Sequence, residues 1–216
     1  MLAAAVAVSA FAAGAASSVL LEQSNVARVG GEARGNSSRA LLHSQPDPAQ
    51  QATQLTLERF SDIAFTDHRQ QPVQLSDYSN YLVLVNFVFT ECSVSCPVQT
   101  GALAQVVEQL ESNLPVQVLT VSLLPGNDTP DSLARFAARF AVSDPRWRLA
   151  VTDPLSTHRL TQAFGVQLSS TPDQPLGHTS TLFLFDRKGD LRQQYRGDRV
   201  DQKRLVTEIR LLAGLS

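Results

Sequence analysis

Leu82 to Phe89 (LVLVNFVF) reads as one continuous apolar run rich in Val and Phe. Such a run predicts a strand buried on both faces, the kind that lies at the centre of a sheet covered by helices. The segment that follows, Thr90-Glu91-Cys92-Ser93-Val94-Ser95-Cys96-Pro97, joins that strand to a helix, and Pro97 suits a first helical turn. In open α/β sheets, sites lie beyond the C-terminal ends of strands, so this strand delivers two cysteines to a functional edge.

The elements around it fit the same class. Residues 63–75 (IAFTDHRQQPVQL) alternate around a polar turn and predict a hairpin. After the cysteines, Val98, Ala102, Val106 and Leu110, with Leu103 and Val107 beside them, form a helical stripe. Val116 to Val121 and Trp147 to Val151 read as strands. Thr129-Pro130 and Asp153-Pro154 each supply an N-cap and a first-turn proline. The helices behind them bury Leu133, Phe136 and Phe140, and Leu160, Ala163 and Phe164. Thr179 to Phe185 reads as a strand, which turns through Gly189 into Leu191 to Tyr195. A last helix from about Asp201 buries Leu205, Ile209 and Leu212 and stops near Gly214. Strands alternating with helices, then a hairpin and a helix, predict a three-layer α/β sandwich with a mixed sheet.

The 216 residues suit one domain with extra segments at an end. A hydrophobic content of 43% is enough for a core, and a net charge of -2 with no Lys/Arg block excludes nucleic-acid binding. Met1 to Leu21 carries no charged side chain. About 20 helical residues span roughly 30 Å, so it reads as a signal anchor, or as a signal peptide with a small-residue cleavage site at Ala13-Gly14-Ala15. Residues 22–56, rich in Ser, Gln, Gly, Ala and Arg, read as a flexible spacer, and residues 57–216 as the folded domain. Either reading of the N-terminus places that domain outside the cytoplasm: on the periplasmic face of an inner membrane if anchored, soluble in the periplasm if cleaved.

The chain has only two cysteines, too few for a disulfide-stapled scaffold. Set four apart at a helix N-terminus, Cys92 and Cys96 are expected to have lowered thiol pKa values. They suit a soft metal, Cu(I) with Zn(II) as competitor, or a disulfide, since Cα atoms at that offset lie roughly 6 Å apart. Two thiolates leave a metal underfilled. Of the four histidines, His178 enters a strand next to the central one and can reach the cysteine turn, although a lone histidine is as often packed or on the surface. His158 falls in a capped helix, His68 in a hairpin turn and His43 in the spacer, and all three read as solvent-facing.

Three motifs in order resemble the Sco/SenC family of copper proteins: VNFVFTECSVSCP, VSLLPGNDTPDSL and GHTSTLFLFDRKGDL. The resemblance covers about residues 57 to 213. It implies a thioredoxin-like fold, with Cys92, Cys96 and His178 as ligands of Cu(I) or Cu(II). It also implies delivery of copper to cytochrome c oxidase, or to another copper-accepting protein, during assembly. An alternative within the family is thiol–disulfide exchange that keeps the oxidase's copper-site cysteines reduced, with Cys92 and Cys96 as the redox pair. Many relatives carry aspartates where this chain has Gly177 and Leu124, and Pro-Asp where it has Ser93-Val94. Lost carboxylates predict lost partners for the ligand histidine.

Overall fold

The computed structural model describes residues 55–93, 95–169 and 177–214. The apolar N-terminal segment, almost all of the spacer and His43 lie outside the described residues. The strands are β1 (Ala64–Asp67), β2 (Pro72–Gln74), β3 (Leu82–Val88), β4 (Val116–Ser122), β5 (Trp147–Val151), β6 (Leu168–Ser169), β7 (Gly177–His178), β8 (Thr181–Phe185) and β9 (Leu191–Arg196). The helices are α1 (Ser95–Gln109), α2 (Pro130–Arg139), α3 (Pro154–Phe164) and α4 (Gln202–Ala213). Seven strands form one sheet in the order β2-β1-β5-β4-β3-β8-β9. β3 is parallel to β4, and β4 to β5, while the outer pairings are antiparallel, so the sheet is mixed as the alternation of elements predicts.

Successive side chains of a strand point to opposite faces, and β3 shows what covers each. The Asn86 amide reaches Gln99 of α1 on one face, and the Phe87 ring meets Phe164 of α3 on the other, edge-on with centroids 5.2 Å apart. α4 lies with α1, joined by Gln202 to Gln105 and by Arg210 to Gln109 and Glu111. The result is helix, sheet and helix in three layers. All seven residues of β3 are buried, as an eight-residue apolar run requires. Around Phe164, the rings of Phe60, Phe87, Phe183 and Phe185 pack with centroids 4.9–5.9 Å apart. Truncating such a ring to Ala costs about 3–5 kcal/mol.

The expected caps form. The side chains of Thr129, Asp153 and Asp201 accept from the backbone N–H groups of Ser132, Ser156 and Arg204. α3 and α4 end at Gly165 and Gly214, both in the left-handed region.

Three local expectations are corrected. Val98 is 44% exposed, and the buried face of α1 begins instead with Cys96, Gln99 and Thr100. The helix turns its polar Gln99 inward because the facing strand presents a buried amide, Asn86. The strand expected from Thr179 starts only at Thr181, and Gly177–His178 pairs with Leu168–Ser169 as a separate two-stranded ribbon. Thr179 is drawn aside by Gln167: its N–H donates to the Gln167 carbonyl and its hydroxyl accepts from the Gln167 N–H. His68 is half-buried rather than solvent-facing. Its Nδ1 accepts from the Leu149 N–H, and burial, reinforced by the neighbouring Arg69, holds it below the usual imidazole range.

Candidate metal centre

Chain direction explains why residues 82 positions apart meet. β8 runs antiparallel to β3, with Val83 opposite Phe185 and Val85 opposite Phe183. The start of β8 therefore lies beside the end of β3. Cys92 follows the end of β3 and His178 precedes the start of β8, so both arrive at one edge, where α1 begins with Ser95 and Cys96.

Nε2 of His178 stands 3.2 Å from Sγ of Cys96. The ring's other nitrogen, Nδ1, is 3.0 Å from the carbonyl oxygen of Thr179. A carbonyl only accepts, so Nδ1 carries the proton and the bare lone pair of Nε2 faces the sulfur. The ring also packs against Phe89, centroids 5.8 Å apart. Burial pulls the His178 pKa below the usual imidazole value, against the opposing hydrogen bond to Thr179, so the ring is neutral at neutral pH. Burial likewise pushes the Cys96 thiol well above the ordinary range, helped by its contact with Cys92. For Cys96 this overturns the lowered pKa expected at a helix N-terminus, because desolvation of a residue 1% exposed outweighs the helix field. The pair is a neutral S–H···N contact, not a thiolate–imidazolium ion pair.

Cys92 sits at the head of the turn. Its sulfur accepts from the Cys96 N–H at 3.3 Å and lies 3.5 Å from the Ser95 hydroxyl. Both cysteines are thiols and both are buried. Among the described residues no three Cys, His, Asp or Glu side chains already stand as a closed metal cage. The Cys96–His178 half is nonetheless close to ligand spacing. A tetrahedral ion with the bond lengths of zinc, about 2.3 Å to sulfur and 2.0 Å to nitrogen, sets those donors roughly 3.5 Å apart.

Beneath this edge Asp128 ties the two central strand ends together. Its carboxylate accepts from the hydroxyls of Thr90 and Ser122, each at 2.6 Å, and from the Thr90 N–H at 3.3 and 3.4 Å. Gly177 offers His178 no carboxylate, and the Thr179 carbonyl takes the Nδ1 proton, fixing the tautomer and orientation of the ring. A backbone acceptor leaves no mark in the sequence, which is why side-chain reading misses it. His158 is exposed on α3 and His68 bonds the sheet ladder, so neither joins this edge. Asn86 and Asp128 fall inside the matched motifs but have no role in the motif reading, and Gln99 lies outside them. The signal of Asn86 and Gln99 is a polar residue at a position whose period demands burial, while Asp128, in a loop, has no such signal.

A three-layer sandwich whose central strand hands a dithiol turn to a helix, with a third donor entering from the antiparallel neighbour, defines a thioredoxin-like domain with a soft-metal or redox edge. The chain belongs to the SCO1/SenC family, whose model matches residues 49–214. The mitochondrial SCO2 homolog of Mus musculus is 31% identical over 160 residues, 69% of this chain and 60% of that protein. ScoI of Bradyrhizobium japonicum, solved with copper bound, superposes with a TM-score of 0.61 at 19% identity, covering 69% of this chain and 96% of that one. BsSco, described with a disulfide switch and as a member of the Sco family of cytochrome c oxidase assembly proteins, superposes at 0.61 with 22% identity, covering 71% and 92%. The chain spans only three-fifths of the mouse relative's length, and the two structural likenesses carry the fold alone.

Proposed function

We propose that this protein is a copper carrier that takes one copper ion on Cys92, Cys96 and His178 and passes it to a cytochrome c oxidase subunit during assembly. One observation carries the reading: a neutral imidazole, its proton parked on a backbone carbonyl, aims a bare Nε2 at a thiol sulfur 3.2 Å away. Thiolates favour Cu(I), and the imidazole admits Cu(II). The copper-bound ScoI relative and the oxidase-assembly description of BsSco support the same cargo and recipient. Loading removes the thiol proton between the two atoms, and the third bond draws Cys92 toward them. Copper uptake therefore releases protons and weakens as pH falls. In this reading residues 1–21 anchor or export the chain, residues 22–56 space it from the membrane and residues 57–216 carry the copper, on the periplasmic side. Among the described residues no helix is long and apolar enough to cross a membrane.

The test is a titration of the reduced full-length chain with Cu(I) and Cu(II). One equivalent is expected to bind, and His178→Ala and Cys96→Ser are each expected to weaken binding by more than about tenfold. A wild-type chain that takes up no copper sinks the proposal.

A second reading rests on the dithiol itself. Cys92 and Cys96 share one turn in the thiol form, and Cys92 Sγ already accepts the Cys96 N–H. As a thiol–disulfide reductase, Cys92 attacks the substrate disulfide and Cys96 resolves the mixed disulfide. His178→Ala then leaves most of the exchange rate intact.

A further inference from the structure

A chain of side-chain hydrogen bonds crosses the buried sheet and ends at the metal edge. The Trp147 indole N–H donates to the Thr120 hydroxyl (2.9 Å), which donates to Asn86 Oδ1 (2.6 Å). Asn86 Nδ2 donates to Gln99 Oε1 (3.2 Å), and Gln99 Nε2 donates to the carbonyl of Gly197 (3.4 Å). An indole can only donate and a carbonyl can only accept, so the two ends dictate the direction of every bond and the orientation of both amides. All four side chains are buried, Gln99 to 1% exposure.

Gln99 lies one helical turn after Cys96 on the same buried face of α1. Gly197, which accepts its bond, donates its own N–H to the Ser180 carbonyl at 2.8 Å, two residues beyond His178. Gln99 is thus the one side chain of this relay that joins the helix bearing Cys96 to the strand entry bearing His178. A buried amide is costly unless fully paired, and an apolar residue here would leave the Asn86 amide and the Gly197 carbonyl without their partners. Asn86 accounts for the acceptor oxygen of Gln99, but not for its second bond, from Nε2 to Gly197, which ties α1 to the segment entering β8.

We infer that Gln99 is a positioning residue of the metal centre, setting the distance between Cys96 and His178 through Gly197 and Ser180. This rests on the reading of Cys92, Cys96 and His178 as a copper site. Gln99→Met keeps the volume and removes both bonds. Gln99→Glu keeps the acceptor for Asn86 and, in its ionised form, removes only the bond to Gly197, so this variant is measured on the alkaline side, where the carboxyl has lost its proton. Ile63→Val, at a buried core position that takes no part in the relay's hydrogen bonds, serves as a control for lost stability alone.

The experiment measures two quantities on the reduced full-length chain. The first is the set of ring-nitrogen NMR shifts of His178 without metal, with hydrogen exchange at the Gly197 N–H. The second is Cu(I) affinity by competition with a chelator. Both Gln99 variants are expected to move the His178 ring signals, speed Gly197 exchange and weaken Cu(I) binding roughly 10- to 100-fold, while Ile63→Val does none of these. Gln99 variants that lose thermal stability but keep wild-type ring shifts and affinity would overturn the inference. If the wild type takes up no copper, the functional reading fails by itself, and the metal-free ring shifts and exchange still decide the role of Gln99. If Gln99→Met does not fold, Gln99→Glu alone decides.

Discussion

Removing the Asp128 carboxylate tests how the end of β3 is held. The residue is 3% exposed and serves two hydroxyls and one amide N–H. In Asp128→Ala those donors lose their acceptor, but not equally. Ser122 is fully buried, and its oxygen already accepts from the Leu124 N–H, so only its donor is orphaned. Thr90 is half-buried and can recruit water. An orphaned buried group costs about 1–3 kcal/mol, and a hydrogen bond to a charged group contributes about 1.5–3. One fully orphaned hydroxyl plus a partly rescued threonine gives a loss of about 2–4 kcal/mol. Asp128→Asn is the sharper control. Its oxygen can still accept the Thr90 N–H, and either hydroxyl can rotate to accept from its NH₂. A loss of about 1–2 kcal/mol is therefore expected. Urea unfolding of the reduced chain measures both through the midpoint at constant slope. An alanine variant within about 0.5 kcal/mol of wild type would refute the view that Asp128 bridges β3 and β4, as would an asparagine variant as damaged as the alanine.

Two further outcomes follow from individual groups. Burial acts to raise the Asp67 pKa. The N–H groups of Gln71 and Arg69 and the Arg148 guanidinium, 2.6 Å away, outweigh it and hold the carboxyl below the usual range. A folded pKa below the unfolded one means this stabilisation is complete above about pH 4 and is lost as pH falls below that value through the lower folded pKa. The stability gap between wild type and Asp67→Asn is thus expected to shrink from pH 7 to about pH 3 in denaturant titrations, and a gap independent of pH would contradict it. For Cys96, raised by burial, alkylation of Cys92→Ser by iodoacetamide should rise only above the ordinary thiol value of about 8.5. An inflection at or below that value would show that the helix field dominates after all.

The architecture was legible because its determinants are periodic and local. LVLVNFVF could only be an inner strand, and Thr129-Pro130 and Asp153-Pro154 mark helix starts by chemistry that acts within one turn. The two cysteines were legible as a pair because they stand four apart at a strand–helix junction, whereas His178 was singled out by the family resemblance, and the antiparallel pairing of β3 with β8 brings it to Cys96. What stayed hidden depends on contacts between distant segments. The inward turn of Gln99 answers to Asn86, the break at Thr179 answers to Gln167, and the raised thiol of Cys96 answers to burial that no helix-terminus rule contains.

The Thr179 carbonyl beside His178 shows what such hidden contacts change chemically. A carboxylate beside a ligand histidine orients the ring and also stabilises its protonated form, since an anion within hydrogen-bond reach raises an imidazole pKa. The Thr179 carbonyl keeps the first effect with little of the second: it accepts from Nδ1 at 3.0 Å but carries no charge, and burial is left to depress the pKa. The ring consequently stays neutral to lower pH than a carboxylate-paired ring would, and a neutral Nε2 is the form that binds metal. The same uncharged acceptor makes the ring a weaker electron donor. Under the proposed copper reading, a carbonyl in the place of a carboxylate trades ligand basicity for availability, which suits a site that must release its ion as well as hold it.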